Sequence, residues 1–239
     1  MTLLEVSGLS KRFGRRQVVS GVNISVSPGE IVGLLGANGA GKSTTFRMIV
    51  GLLRPEAGSI TFRGHDITGL PMDARARMGL GYLAQEPTVF AQLTVADNVL
   101  IVLEQHYPRA EHRERLERLL GELNLGHLRH SLARSLSGGE RRRLEITRAL
   151  VVEPRLLFFD EPFAGVDPKS RADITNISNE LRRRGVAVLI TDHHAEAILG
   201  MVDRLYVMES GNILAEGTPE QIVANPAVRR AYLGEDFAL

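Results

Sequence analysis

The chain has 239 residues, 44% of them hydrophobic, which suits one large domain with a real core and excludes a disordered chain. Lysine and arginine total 29 against 28 acidic residues, a formal net charge of +1, and such a balance argues against an electrostatic nucleic-acid binder. There is no cysteine, hence neither disulfides nor thiolate metal sites. Met1–Lys11 carries no signal-peptide apolar region, and no apolar run approaches the ~18 residues that a spanning helix needs. The chain reads as soluble and cytoplasmic, with any membrane contact made through a partner.

Taken in chain order, Val22–Val26 alternates in period two and predicts a strand, and Pro28-Gly29 predicts a turn. Ile31–Leu35 is a continuous apolar run, the pattern of a buried central strand, and a helical stretch follows over about 42–52. Between about 86 and 152 the strand signal fades. Leu116, Leu119, Leu120 and Leu123 recur there at helical spacing, and Glu111/Arg115 and Glu114/Arg118 form i,i+4 pairs for a wet face. Residues 109–148 hold ten Arg and six Glu, a bias expected of solvated helices rather than of a binding patch. Leu156–Phe159 and Val186–Ile190 read as further buried strands, with helical stretches at about 168–184 and 194–201. Arg204–Glu209 and Asn212–Glu216 flank Ser210-Gly211, a hairpin signal. Alternating strands and helices predict an α/β fold, its sheet mostly parallel and covered on both faces. The helical segment 86–152 is then an insert, and 1–85 with 153–239 make the core.

Three motifs carry chemistry. Gly36-Ala37-Asn38-Gly39-Ala40-Gly41-Lys42-Ser43 fits G-x-x-x-x-G-K-[ST], after a strand and before a helix, as a phosphate-binding loop requires. Its glycines let the backbone wrap a phosphate, and the first helical turn, Lys42 to Thr44, adds the positive end of the helix dipole. Lys42 reaches the β- and γ-phosphates, and the Ser43 hydroxyl can ligate Mg²⁺. Leu156–Phe159 ends in Asp160 and Glu161, and phosphoryl transfer needs one acid for Mg²⁺ and another group to orient the attacking water. Successive strand residues point to opposite sides, so the two carboxylates can diverge onto those tasks. Leu136-Ser137-Gly138-Gly139-Glu140 reads in two ways. Ser-x-x-Glu ahead of a helix is a capping box, and a glycine-rich helix start is also an anion site; both can hold together.

The series, with LSGGE between a phosphate loop and an Asp-Glu strand end, resembles the ATP-binding cassette (ABC) ATPases over the whole chain. The resemblance implies an ABC-type core with an antiparallel β subdomain and an inserted helical subdomain. It implies that Gln85 is the Q-loop glutamine, near Mg²⁺ and the γ-phosphate, and that Ala164–Asp167 is the D-loop. His193, with His194 beside it, would be the switch histidine, and Phe13 the aromatic that stacks on adenine. ATP would sit between two copies of the chain in a head-to-tail homodimer, facing Lys42 and Glu161 of one and Ser137, Gly138 and Gly139 of the other.

Finer stretches, above all Tyr232–Phe237, resemble the ABC subfamily that powers lipopolysaccharide export. Ala91-Gln92 departs from that pattern, where basic residues are expected, and so does His194, where Asn is usual. The implied activity is ATP hydrolysis at the cytoplasmic face of the inner membrane. The implied partners are two transmembrane subunits received in a groove near Gln85–Phe90. The ATPase of a branched-chain amino-acid importer and a soluble non-transport ABC ATPase stand as alternatives.

Overall fold

The computed structural model describes the chain except Met1, Pro87, residues 164–167, 193–194, 235–236 and 238–239, and the side chains of 168–170. Among the described residues, two sheets and a group of helices form the expected α/β architecture. The larger sheet has six strands in the order β10-β9-β3-β8-β7-β6. These are β3 (Ile31–Gly36), β6 (Leu80–Leu83), β7 (Leu156–Asp160), β8 (Ala187–Thr191), β9 (Arg204–Glu209) and β10 (Asn212–Gly217). All neighbours are parallel except β9 and β10, the hairpin, whose turn residues Ser210 and Gly211 both take positive φ.

The central strands are buried on both faces, and alternation divides their side chains between two cores. Val32, Leu34, Leu156 and Phe158 face one core, while Ile31, Leu35, Leu157 and Phe159 face the other. The first core is closed by helix α1 (Lys42–Val50) and by an antiparallel sheet of four strands in the order β2-β1-β4-β5. This sheet comprises β1 (Leu4–Phe13), β2 (Arg16–Val26), β4 (Ala57–Phe62) and β5 (His65–Asp66). Phe46 of α1 meets Phe158 of β7 edge to face at 5.4 Å. Full burial of a side chain like Phe46 is worth about 2–3 kcal/mol. The far end of α1 is held by Arg75 of α2 (Met72–Arg77), fully buried, whose guanidinium donates to the carbonyls of Met48, Ile49, Leu70 and Thr68. Burial lowers the Arg75 pKa to about 10. Two of the carbonyls left over at the helix end thereby find a donor.

The second core lies under α6 (Pro168–Arg183), α7 (Ala195–Leu199) and α8 (Pro219–Ala224), with Tyr232, Leu233 and Phe237 packed against it. A third cluster belongs to α3 (Val95–His106), α4 (Arg109–Glu122) and α5 (Gly138–Leu150), where Leu116, Leu119 and Leu120 are buried, while Leu123, equally buried, joins the second core. Arg115 pairs with Glu111 at 2.7 Å as its spacing predicts. Arg118 instead pairs with Glu122, one turn further along the same helix, and with Glu153 beyond the end of α5. The chain-order reading missed β1, β4 and β6. β1 and β4 mix small and polar residues, and β6 is only four residues long, too short for a period to register. Among the described residues no helix is long and apolar enough to cross a membrane.

Candidate active site

The loop Gly36–Gly41 leaves the C-terminal end of β3 and enters α1, so it lies at an edge where parallel strands and a helix N-terminus converge. Its path demands glycine. Gly36 has φ 147°, and a Cβ there would stand 2.2 Å from the Met208 carbonyl oxygen; Gly41 has φ 106°, and its Cβ would meet the Val18 carbonyl oxygen at 2.7 Å. Gly41 is also the N-cap of α1 and supplies no side-chain cap, and no acidic residue occupies the first turn. A helix start without a capping or acidic side chain of its own can take an anion from outside.

Lys42 is 5% exposed, and its ammonium donates to the carbonyl oxygens of Gly36 at 2.7 Å and Ala37 at 3.1 Å. Burial pushes its pKa down, while Glu161, Asp192 and Asp160 hold it up. A cation so placed, with carboxylates nearby and loop carbonyls as its hydrogen-bond acceptors, is poised to exchange those carbonyls for phosphate oxygens. Lys42, Ser43, Thr44, Asn38, Gly39, Gly41, Glu161 and Phe13 line one cleft of about 340 Å³, together with Arg16 and Val18. Phe13, at the end of β1, is 52% exposed, so its ring is offered to the cleft rather than spent in the core.

Asp160 closes β7 and is buried. Tyr82 Oη donates to its Oδ2 at 3.0 Å, and Thr191 Oγ1 donates to its Oδ1 at 3.0 Å. Burial, reinforced by Asp160, pushes the Tyr82 phenol up to about 12, so it remains a donor at neutral pH. Glu161 takes φ 44°, in the left-handed region, while its N–H continues the parallel ladder by donating to the Thr191 carbonyl at 2.9 Å. Gln85, two residues beyond β6, donates from Nε2 to Glu161 Oε2 at 3.1 Å. Asp192 is fully buried and accepts the Phe163 N–H at 3.0 Å. His193, His194 and the Ala164–Asp167 stretch lie outside the described residues.

Ser137 caps α5 in a complete capping box: its Oγ accepts the Glu140 N–H at 3.3 Å, and Glu140 Oε2 accepts the Ser137 N–H at 2.8 Å. The Ser137 N–H, and then its hydroxyl, donate to the Glu140 carboxylate and hold its pKa below the ordinary value. Ser137 and Gly138 are exposed, and none of Ser137, Gly138 and Gly139 lines the cleft of the phosphate loop.

Phe90 stands on a loop tied by Asn98, whose Oδ1 accepts the Phe90 N–H at 2.8 Å and whose Nδ2 donates to the Phe90 and Thr94 carbonyls at 3.0 Å. The Phe90 ring is 46% exposed, with the Arg148 guanidinium of α5 4.9 Å from its centre. Arg142 and Glu145 of the same helix bond the Ala84 carbonyl and the Thr88 N–H. Sequence reasoning did not find Tyr82, Thr191 or Asn98. Each is an ordinary residue in its local stretch, and only its cross-strand or cross-loop neighbour gives it a task.

The sequence model of the ABC transporter family matches residues 19–164, and that of the branched-chain amino acid ATP-binding cassette transporter matches residues 212–238. The chain is 53% identical to the lipopolysaccharide export system ATP-binding protein LptB of Acidithiobacillus ferridurans, over 99% of both chains. It is 49% identical to LptB of Haemophilus influenzae over 100% of both. The crystal structure of the ADP conformation of an ATP-binding cassette of an ABC transporter superposes with a TM-score of 0.89 at 33% identity, covering 98% of this chain and 100% of that one. A glycine-rich loop leading into a helix with no capping side chain, two adjacent carboxylates with separate partners and these full-length similarities agree. The chain belongs to the ABC transporter family, as an ATP-binding and ATP-hydrolysing subunit closely related to LptB that acts with membrane partners.

Proposed function

We propose that this chain powers lipopolysaccharide export from the cytoplasmic face of the inner membrane, as a head-to-tail homodimer bound to two transmembrane subunits. The full-length similarity to LptB proteins carries the choice of substrate. The exposure of Ser137 and Gly138, away from their own chain's cleft, supports the shared site, in which a second copy brings them to the nucleotide. In that site Gly36, Ala37, Asn38, Gly39, Ala40 and Gly41 wrap the phosphates, Lys42 and the N–H groups through Thr44 neutralise them, and Phe13 stacks on the adenine. Ser43, Gln85 and Asp160 are the oxygen ligands for Mg²⁺. A hydroxyl, an amide and a carboxylate beside the phosphates suit a hard cation that takes few protein ligands. Mg²⁺ supplies charge neutralisation on the phosphates when bound. Glu161 orients and activates the attacking water, Gln85 steadies it by the bond already present, and His193 completes the γ-phosphate site. Phe90, open and braced by Asn98, is the anchor for the transmembrane subunits.

The match of residues 212–238 to the branched-chain amino acid transporter model supports a second reading, an importer ATPase. Replacing the export ATPase of a conditional host with this chain separates the two. Restored lipopolysaccharide delivery to the outer membrane is the expected result. Failure there, with rescue of branched-chain amino-acid uptake in an importer-deficient host, establishes the second reading instead.

A further inference from the structure

Both oxygens of the Asp160 carboxylate are engaged from neighbouring strands. Tyr82 on β6 reaches Oδ2 and Thr191 on β8 reaches Oδ1, each at 3.0 Å. The sheet register produces this grip, because β7 lies between β6 and β8, with Tyr82 opposite Phe158 and Thr191 opposite Asp160. Thr191 also accepts the Glu161 N–H, through its carbonyl at 2.9 Å and its hydroxyl at 3.4 Å, so it touches both acidic residues. Hydroxyl donors orient a carboxylate without neutralising it. A carboxylate offers about four lone-pair sites, and these two bonds leave others free.

We infer that Tyr82 and Thr191 are positioning residues for the divalent cation: they lock the Asp160 carboxylate in one orientation before the cation arrives. The inference rests on the reading of Asp160 as a metal carboxylate. A ligand held in place from outside gives up less freedom on binding, and loss of such an outer partner typically costs about 10–100-fold in metal affinity.

The test is Mn²⁺ titration of the full chain with ADP, read by the paramagnetic resonance of free Mn²⁺ and by calorimetry. Tyr82→Phe removes one oxygen and keeps the ring. It should bind Mn²⁺ about tenfold more weakly, with ADP affinity in EDTA unchanged. Thr191→Val should weaken the cation similarly, and Thr191→Ser, which keeps the hydroxyl, should restore it. Asp160→Asn is the reference and should lose more than either. Wild-type Mn²⁺ affinity in Asp160→Asn would overturn the metal reading of Asp160 and this inference with it. Loss in Asp160→Asn, with wild-type or tighter affinity in Tyr82→Phe and Thr191→Val, overturns the positioning role alone. Should Tyr82→Phe fail to fold, the Thr191 pair decides, and equal affinities in Thr191→Val and Thr191→Ser sink the inference.

Discussion

Glu161 sits at φ 44°, in the left-handed region where a residue with a side chain costs about 1–2 kcal/mol. It does so at the end of the ladder, where Asp160 pairs with Thr191 and the Glu161 N–H still donates to the Thr191 carbonyl, as a parallel pairing requires. Strain of this kind is tolerated where function needs it. Two truncations isolate it. Glu161→Ala and Glu161→Gly both delete the carboxylate and its bond to Gln85, and only the glycine relieves the backbone. Glycine's extra freedom in the unfolded chain offsets about 0.5–1 kcal/mol of that relief, leaving about 0.5–1 kcal/mol in favour of the glycine variant. For 239 residues, at about 2.1 cal/mol/K each, the unfolding entropy is about 0.5 kcal/mol/K. Glu161→Gly should therefore melt about 1–2 °C above Glu161→Ala. Calorimetry on the nucleotide-free proteins measures this directly. Hydrolysis should fall by about 10²–10⁴ in both, as expected on losing a general base, while ATP still binds. Glu161→Gln should lose turnover likewise, keep the strain and leave a long-lived ATP-bound dimer. A glycine variant melting at or below the alanine variant refutes the strain argument, and near-normal turnover in Glu161→Gln removes Glu161 from the chemistry.

Ser137→Ala breaks the observed capping box and should cost about 1 kcal/mol of stability. If Ser137 also binds nucleotide across a dimer, hydrolysis collapses while the monomer binds ATP normally, and wild-type activity rises more than linearly with protein concentration; strictly linear activity in dilute solution contradicts the shared site. Phe90→Ala, at an exposed ring, should fold and hydrolyse ATP alone but fail to assemble with or drive the transporter, and full transport would show that the coupling surface lies elsewhere. Burial, then Asp192, pushes the Tyr232 phenol up to about 12 from its ordinary 10. Its folded pKa is raised, so its contribution is fully present below pH 10 and is lost as pH climbs from there through about 12. Between pH 9 and pH 11, wild type should therefore lose more melting temperature than Tyr232→Phe; equal losses would count against this origin.

The sequence by itself determined what depends on neighbours along the chain. The phosphate loop was legible because its glycines and the turn into α1 lie within a few residues, and the Ser210-Gly211 hairpin and the Ser137–Glu140 capping box are equally local. The parallel α/β core was legible because β3, β7 and β8 are buried on both faces and so read as unbroken apolar runs. Tertiary structure decided the rest. Tyr82 reaches Asp160 across 78 positions, Gln85 reaches Glu161 across 76, and Thr191 reaches Asp160 across 31. Nothing in those intervals marks the partners, because strand order and register choose them. Arg75 carries the same lesson: in sequence it is one more arginine of a charged helix, and only packing buries it where two carbonyls of the end of α1 and two of the loop before its own helix accept from it. Backbone conformation is written in short stretches of residue types, whereas a side chain's partner is set by which strands and helices the whole fold brings together.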